Sequence, residues 1–330
     1  MKKFISLLLA LILSLGLIGC GEVQYENDDD DIEEEEDEDD EDKDDEDDED
    51  DEDYEDDEDD ENKDDKDDKG KKDKLELVDF DNVVVTDNDL FSITVTDFEE
   101  DDFWGYELKV RLENKSDTSY TFNTKSVYVN GVQADALFYA EVDAGKKANE
   151  TVTFFSEDFE EYGIDEFTDI ELTFNVYDNS DWSTPDVDIP TVHIYPYGED
   201  NAEQFVRESK NTDEIVIDNE YATITVIGHE FDDDFGYYMN LYIVNKSEHY
   251  LNFYEDDSSL NGYMTDPIFY DTLNPGKSIF TSVLWSTETL EENDIDDIDD
   301  IEEIEFSVCA SDAEDWMAGY YFVEAITVNP

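Results

Sequence analysis

Two registers of alternation run through the last 250 or so positions of this chain. Tyr106, Leu108, Val110 and Leu112 alternate with Glu107, Lys109, Arg111 and Glu113. Leu172, Phe174 and Val176 alternate with Glu171, Thr173 and Asn175 in the same way. A period of two with polar partners predicts half-buried strands. Val83 to Thr86 and Phe91 to Val95 bracket Asp87-Asn88-Asp89, which reads as a tight turn between two strands. Asn130-Gly131 is a two-residue hairpin signal, because both positions of a type I′ turn need positive φ. Ala144-Gly145-Lys146 and Pro275-Gly276-Lys277 read as turns ahead of strands at Glu150 to Phe155 and Ser278 to Trp285. Val192 to Tyr195 and Ala325 to Val328 read as closing strands.

The pattern occurs twice. Asn114-Lys115-Ser116 returns 131 residues later as Asn245-Lys246-Ser247. The same offset carries Asp87-Asn88 onto Asp218-Asn219, Gly105-Tyr106 onto Gly236-Tyr237, and Asn130-Gly131 onto Asn261-Gly262. Nearer the C-terminus the offset becomes 134, relating Asp178 to Asp312 and Trp182 to Trp316, so the second copy carries three extra residues before the region of Ile298. Units of this size are domains and not solenoid repeats, because each can own a core. Six to eight short strands per copy predict an all-β chain with two tandem immunoglobulin-like β-sandwich domains, residues 75–196 and 212–330. The Cys…Trp…Cys pattern of antibody domains is missing. Residues 197–211 read as a linker, with one or two turns of helix around Glu203 to Glu208 and few apolar anchors, hence a weak hinge.

Alternation is absent before these domains. Lys2 and Lys3 precede an apolar run from Phe4 to Ile18, too short for a spanning helix, and Leu17-Ile18-Gly19-Cys20 ends it. This stretch, 1–19, resembles the signal peptide of bacterial lipoproteins. The resemblance implies cleavage before Cys20, lipidation of its thiol, and a membrane partner held through that lipid. The expected location is the extracytoplasmic face of a bacterial cell membrane. Residues 20–74 then form an acidic stalk. From Glu26 to Lys69 there are 36 acidic residues against four lysines. Such a segment cannot bury enough apolar surface to offset the entropy of ordering, so a disordered, charge-extended spacer is expected. Its upper reach is on the order of 180 Å.

Charge narrows the choice of partners. The formal net charge is −81. The domains share it, with 62 acidic residues against 10 basic ones from Leu75 onward. Nucleic acid is excluded by repulsion, whereas cations, basic protein surfaces and glycans are compatible. Of the two cysteines, Cys20 belongs to the lipid, so Cys309 has no intramolecular disulfide partner.

The Asp-Asn turn, the strand running into Glu-Asn-Lys-Ser or Val-Asn-Lys-Ser, the Asn-Gly hairpin and the Gly-Lys turn together carry a second resemblance. They look like the uncharacterised immunoglobulin-like domains of lipoproteins from Gram-positive gut and soil bacteria, similar in fold to a secreted mycobacterial antigen domain. That resemblance implies an extracytoplasmic sandwich and brings no catalytic residues with it.

Candidate chemistry is sparse. His193, His229 and His249 show no metal-ligand spacing, and no phosphate loop or nucleophile elbow is present. No enzyme and no cofactor are expected. Two features stand out. An acidic loop occurs in both copies, at Glu99-Glu100-Asp101-Asp102 before Trp104-Gly105 and at Asp232-Asp233-Asp234 before Phe235-Gly236. Asp101, Asp102, Asp232, Asp233 and Asp234 are therefore candidate calcium ligands, or else solvated hairpin tips. Then the polar face of Glu107, Lys109, Arg111 and Glu113 becomes Tyr238, Asn240, Tyr242 and Val244 in the second copy. Tyr238 and Tyr242 are candidate partner-binding residues; the same face could instead pack on the other domain, or be ordinary sheet surface. The expected function is a surface lipoprotein displaying two sandwiches for binding or structural roles. A calcium-binding or sensing lipoprotein is the alternative, and an accessory solute-binding or hydrolytic one a more distant third.

Overall fold

The computed structural model describes residues 75–79, 81–101, 105–154, 159, 162–179, 187–315 and 317–330. The signal, Cys20, the stalk, Asp102, Trp104, Trp182 and Trp316 lie outside the described residues.

The chain is all-β, built as two tandem immunoglobulin-like β-sandwiches. The first contains β1 (Val83–Asp87), β2 (Phe91–Asp101), β3 (Gly105–Asn114), β4 (Tyr120–Val129), β5 (Val132–Gln133), β6 (Ala136–Leu137), β7 (Tyr139–Val142), β8 (Lys147–Phe154), β9 (Ile170–Asp178), β10 (Val187–Asp188) and β11 (Val192–Ile194). The second contains β12 (Glu214–Asp218), β13 (Ala222–Asp232), β14 (Gly236–Asn245), β15 (Leu251–Leu260), β16 (Tyr263–Met264), β17 (Tyr270–Leu273), β18 (Ser278–Ser286), β19 (Ile304–Asp312) and β20 (Tyr320–Val328). One short helix, α1 (Thr287–Glu292), follows β18 and is capped by the Ser286 hydroxyl. The three extra residues of the second copy fall in the connection holding this helix. Phe154 and Ile170 match Trp285 and Ile304, and the later interval is three residues longer.

The alternating positions form the cores as the pattern requires. Leu108, Val110 and Leu112 are buried in β3, and Met239, Leu241 and Ile243 in β14. Ile170, Leu172, Phe174 and Val176 of β9 face the same first core, and Ile304, Phe306 and Val308 of β19 face the second. Both Asn-Gly hairpins have the expected left-handed pair, with φ of 52° and 82° at Asn130 and Gly131 and of 50° and 81° at Asn261 and Gly262.

The repeated Asn-Lys-Ser motif is a structural clasp. Asn114 is buried and donates through Nδ2 to the carbonyls of Thr118 at 2.7 Å and Val142 at 2.8 Å. Its Oδ1 accepts from the Ser116 N–H and hydroxyl. Asn245 repeats every element of this, with His249 and Leu273 as carbonyl acceptors and Ser247 as donor. The lysine after each asparagine reaches back to the Asp-Asn turn. Lys115 pairs with Asp87, and Lys246 with Asp218 at 2.6 Å. Within that turn Asn88 Oδ1 accepts the N–H groups of Leu90 and Phe91, and Asn219 Oδ1 those of Tyr221 and Ala222, at the entry to the next strand. A fully satisfied buried amide fixes one relative placement of the two chain segments it joins, and it is costly to leave half-satisfied.

The three sheets show how the copies join. One sheet runs β1-β2-β3-β8-β6 and another β16-β15-β19-β20, with β17 beside β15. The third has ten strands, eight of them in the order β10-β9-β4-β5-β18-β14-β13-β12, with β11 beside β9 and β7 beside β4. It crosses from one copy to the other through β5 and β18, where the Ser278 N–H donates to the Gly131 carbonyl at 3.1 Å. One face of this continuous sheet closes the first core, and the other end closes the second.

Candidate functional site

The residues singled out from sequence lie in three places. Asp101 ends β2, and Asp232 ends β13 at the equivalent hairpin. Asp232 Oδ1 accepts the N–H groups of Asp234 at 2.9 Å and Phe235 at 3.1 Å, so this carboxylate is engaged in shaping the turn. Asp233 and Asp234 are exposed at its tip. Gly236 follows with φ 123°, and a Cβ there would meet the Trp285 carbonyl oxygen at 2.0 Å. Asp232 and Gly236 thus serve a close hairpin against β18.

Tyr238 and Tyr242 are both half-buried on β14. The structure places Tyr242 in a seam between the sandwiches. Its ring lies 4.7 Å from that of Phe280, and the Arg207 guanidinium stands 5.8 Å from its centroid. Phe280 in turn stacks on Tyr162 of the first sandwich at 3.7 Å and contacts Phe205 of the linker. Tyr242 is thus engaged by Phe280 of its own sandwich and by Arg207 of the linker, and it is Phe280 that carries the contact on to the first sandwich.

The linker is held along its length, contrary to the weak hinge expected. Glu203 N–H donates to Thr168 Oγ1 at 3.0 Å, and Phe205 N–H to the Asn130 carbonyl at 2.8 Å. Arg207 forms a two-pronged bond to Asp213 at 2.7 and 2.8 Å. That contact holds the Asp213 carboxyl below its usual range and pushes the Arg207 guanidinium up. Residues 203–208 have no helix. A single 3-10 turn, Glu199–Asn201, precedes them. The N–H groups of Glu203 and Phe205 bond across to the first sandwich instead of along a helix.

Each sandwich also lends an aromatic to its neighbour. Tyr128 of β4 is packed into the second core, and Phe280 of β18 against the first. Lys277 lies over the Tyr128 ring, 5.3 Å from its centroid, and its ammonium pairs with Glu171 of β9. Burial pushes the Tyr128 phenol well above its usual range, so it stays protonated.

Beside this seam is a cluster that sequence spacing did not disclose. Asp169 and Glu171 are two apart at the start of β9 and so share a face. His193 sits directly opposite Glu171 on β11. The ligand-capable atoms of all three lie within 4.8 Å of one another. His193 Nδ1 is 2.8 Å from Asp169 Oδ1. Both carboxylates are about 95 % buried, with exposures of 5 % and 6 %, while the imidazole is open to solvent. The signal was non-local: His193 follows Glu171 by 22 residues, and only the β9–β11 register brings them together. Cys309, by contrast, is a buried free thiol in β19, its pKa pushed up by burial.

No family model matches the chain. No curated protein matches it either. Among solved structures, the Salmonella enterica SafA pilin in complex with the SafB chaperone aligns at 10 % identity over 67 % of this chain and 89 % of that one, with a TM-score of 0.21. The YadV chaperone aligns at 10 % identity over 68 % and 92 %, with a TM-score of 0.20. Overlaps this loose carry no argument about function.

Proposed function

We propose that this protein is a lipoprotein held at the extracytoplasmic face of a bacterial membrane through Cys20, displaying two joined β-sandwiches on an acidic spacer for a binding or structural role. The Leu17-Ile18-Gly19-Cys20 stretch, following two lysines and an apolar run and followed by a charged segment, carries this reading. The seam supports it from the other end. A shared sheet, exchanged aromatics and a pinned linker suit a unit meant to be presented as one stiff body. The reading assigns no catalytic step. Metabolic labelling with a palmitate analogue, followed by detergent phase partition, tests it. Label and detergent-phase recovery in the wild type, both lost in Cys20→Ser, are expected. A Cys20→Ser protein that keeps its label and its membrane recovery would sink the proposal.

A further inference from the structure

We infer that Asp169, Glu171 and His193 form a binding site for one divalent transition-metal ion, with zinc the best fit. Two carboxylates and an imidazole are the donor set such ions take, whereas calcium prefers oxygen alone. Strand geometry supplies the arrangement without special loops. Asp169 and Glu171 share a face by alternation, and His193 is the cross-strand neighbour of Glu171. Donor atoms within 4.8 Å of one another need to close by about 1 Å to meet an ion at the usual bond length of roughly 2.0–2.2 Å. His193 is the solvent-facing member, so its ring can make that adjustment. The ion then replaces the present His193–Asp169 hydrogen bond.

Charge points the same way. Of two carboxylates about 95 % buried, Glu171 pairs with Lys277, while Asp169 lies against the His193 imidazole, which is a counter-charge only when protonated. Buried negative charge in excess of its counter-charge is costly and favours a cation. A carboxylate has two oxygens, so Glu171 can keep Lys277 on Oε1 and offer Oε2 to the metal.

The second copy provides an internal comparison. The equivalent positions are Glu303, Glu305 and Thr327, with Glu305 opposite Thr327 in the same register. There both glutamates are exposed and the histidine is absent. Burial of the carboxylates and the imidazole are thus both particular to the first sandwich, next to the seam. Since Glu171 also holds Lys277 of the second sandwich, metal binding is coupled to the joint between the two.

The test is a titration of the purified full-length chain with zinc ions alone, and separately with cobalt ions as a visible-light probe. The acidic stalk contributes weak, non-saturating binding in every variant. The wild type is expected to show one saturable equivalent above that background and a cobalt absorption band. His193→Ala should lose both, and Asp169→Asn should weaken the saturable class at least tenfold. If His193→Ala alters the metal-free melting temperature, His193→Gln, which keeps a polar side chain at the strand position, is read in the same way. Superimposable zinc titrations of wild type and a folded His193 variant, or a cobalt band that survives the substitution, would overturn the site.

Discussion

The phenol oxygen of Tyr128 accepts the backbone N–H of Asn274 at 3.1 Å, although 146 residues separate them. Tyr128 sits on the first sandwich yet is only 2 % exposed because the second covers it. The contact binds the Asn-Gly hairpin of one copy to the Pro275-Gly276-Lys277 turn of the other. The two copies should therefore unfold together.

Tyr128→Ala is expected to cost about 3–5 kcal/mol, the range for removing a buried aromatic. Tyr128→Phe, which loses only the hydroxyl, should cost on the order of 1 kcal/mol. Guanidinium denaturation followed by both tryptophan fluorescence and circular dichroism checks this. The wild type should show one coincident transition and Tyr128→Ala two separated ones. Coincident transitions in Tyr128→Ala would mean that the shared sheet alone couples the copies.

The clasp asparagines give a sharper test of why their motif recurs. Asn114→Ala or Asn245→Ala leaves two carbonyls and a serine without the amide that joined them. Each unsatisfied buried group costs roughly 1–3 kcal/mol, so either substitution should lower stability by several kcal/mol. Substitution of Ser116 or Ser247, which lie nearer solvent, should cost less than half as much. Equal losses at asparagine and serine in thermal melts would show that the turn, and not the amide, is what matters.

Glycine positions separate turn geometry from close packing. Gly145 has φ 68° and open space where a Cβ would stand, so Gly145→Ala should cost only backbone strain of about 1 kcal/mol. At Gly236 the same methyl group would meet backbone at 2.0 Å. Gly236→Ala should displace β14 from β18 and lower the melting temperature far more than Gly145→Ala. Comparable melting temperatures for the two variants would refute the close approach.

These variants show which parts of the architecture were legible before any coordinates. Alternation along β3 and β9, the Asn-Gly hairpins and the offset of 131 are local or periodic, and each survived into the fold. The place of Tyr128 in the seam was not legible, because nothing local shows that its cover is the other domain. The linker was misread for a related reason. Its few apolar residues suggested weak anchoring, but its hold comes from backbone N–H groups and from Arg207 on Asp213, which hydropathy does not register. The part Asp232 plays in its turn, with Oδ1 accepting the N–H groups of Asp234 and Phe235, is likewise a matter of backbone geometry that residue type does not disclose. The triad of Asp169, Glu171 and His193 needed strand register, which a search for short ligand spacing cannot supply.

Acid response offers a last prediction, centred on Asp271 of β17. Burial, reinforced by the like charge of Asp135 from the other sandwich, pushes its carboxyl up to about 6, against an ordinary 3.8; the 2.6 Å bond from the Thr281 hydroxyl works in the opposite direction. A carboxyl whose pKa is raised on folding binds its proton more tightly in the native state than in the unfolded one. Its contribution is therefore most favourable below the unfolded value of 3.8 and is lost as pH rises through about 6. Asp271→Asn removes this dependence while keeping an acceptor for Thr281. Relative to the wild type, the variant should gain stability steadily between about pH 4 and pH 6, and be the more stable protein at about pH 7. The remaining carboxylates, apart from Asp135 that faces Asp271, titrate alike in both proteins, so their effect cancels in the difference. Parallel stability curves for wild type and Asp271→Asn across that window would show that Asp271 is ionised at no cost, and that the seam does not sense pH through it.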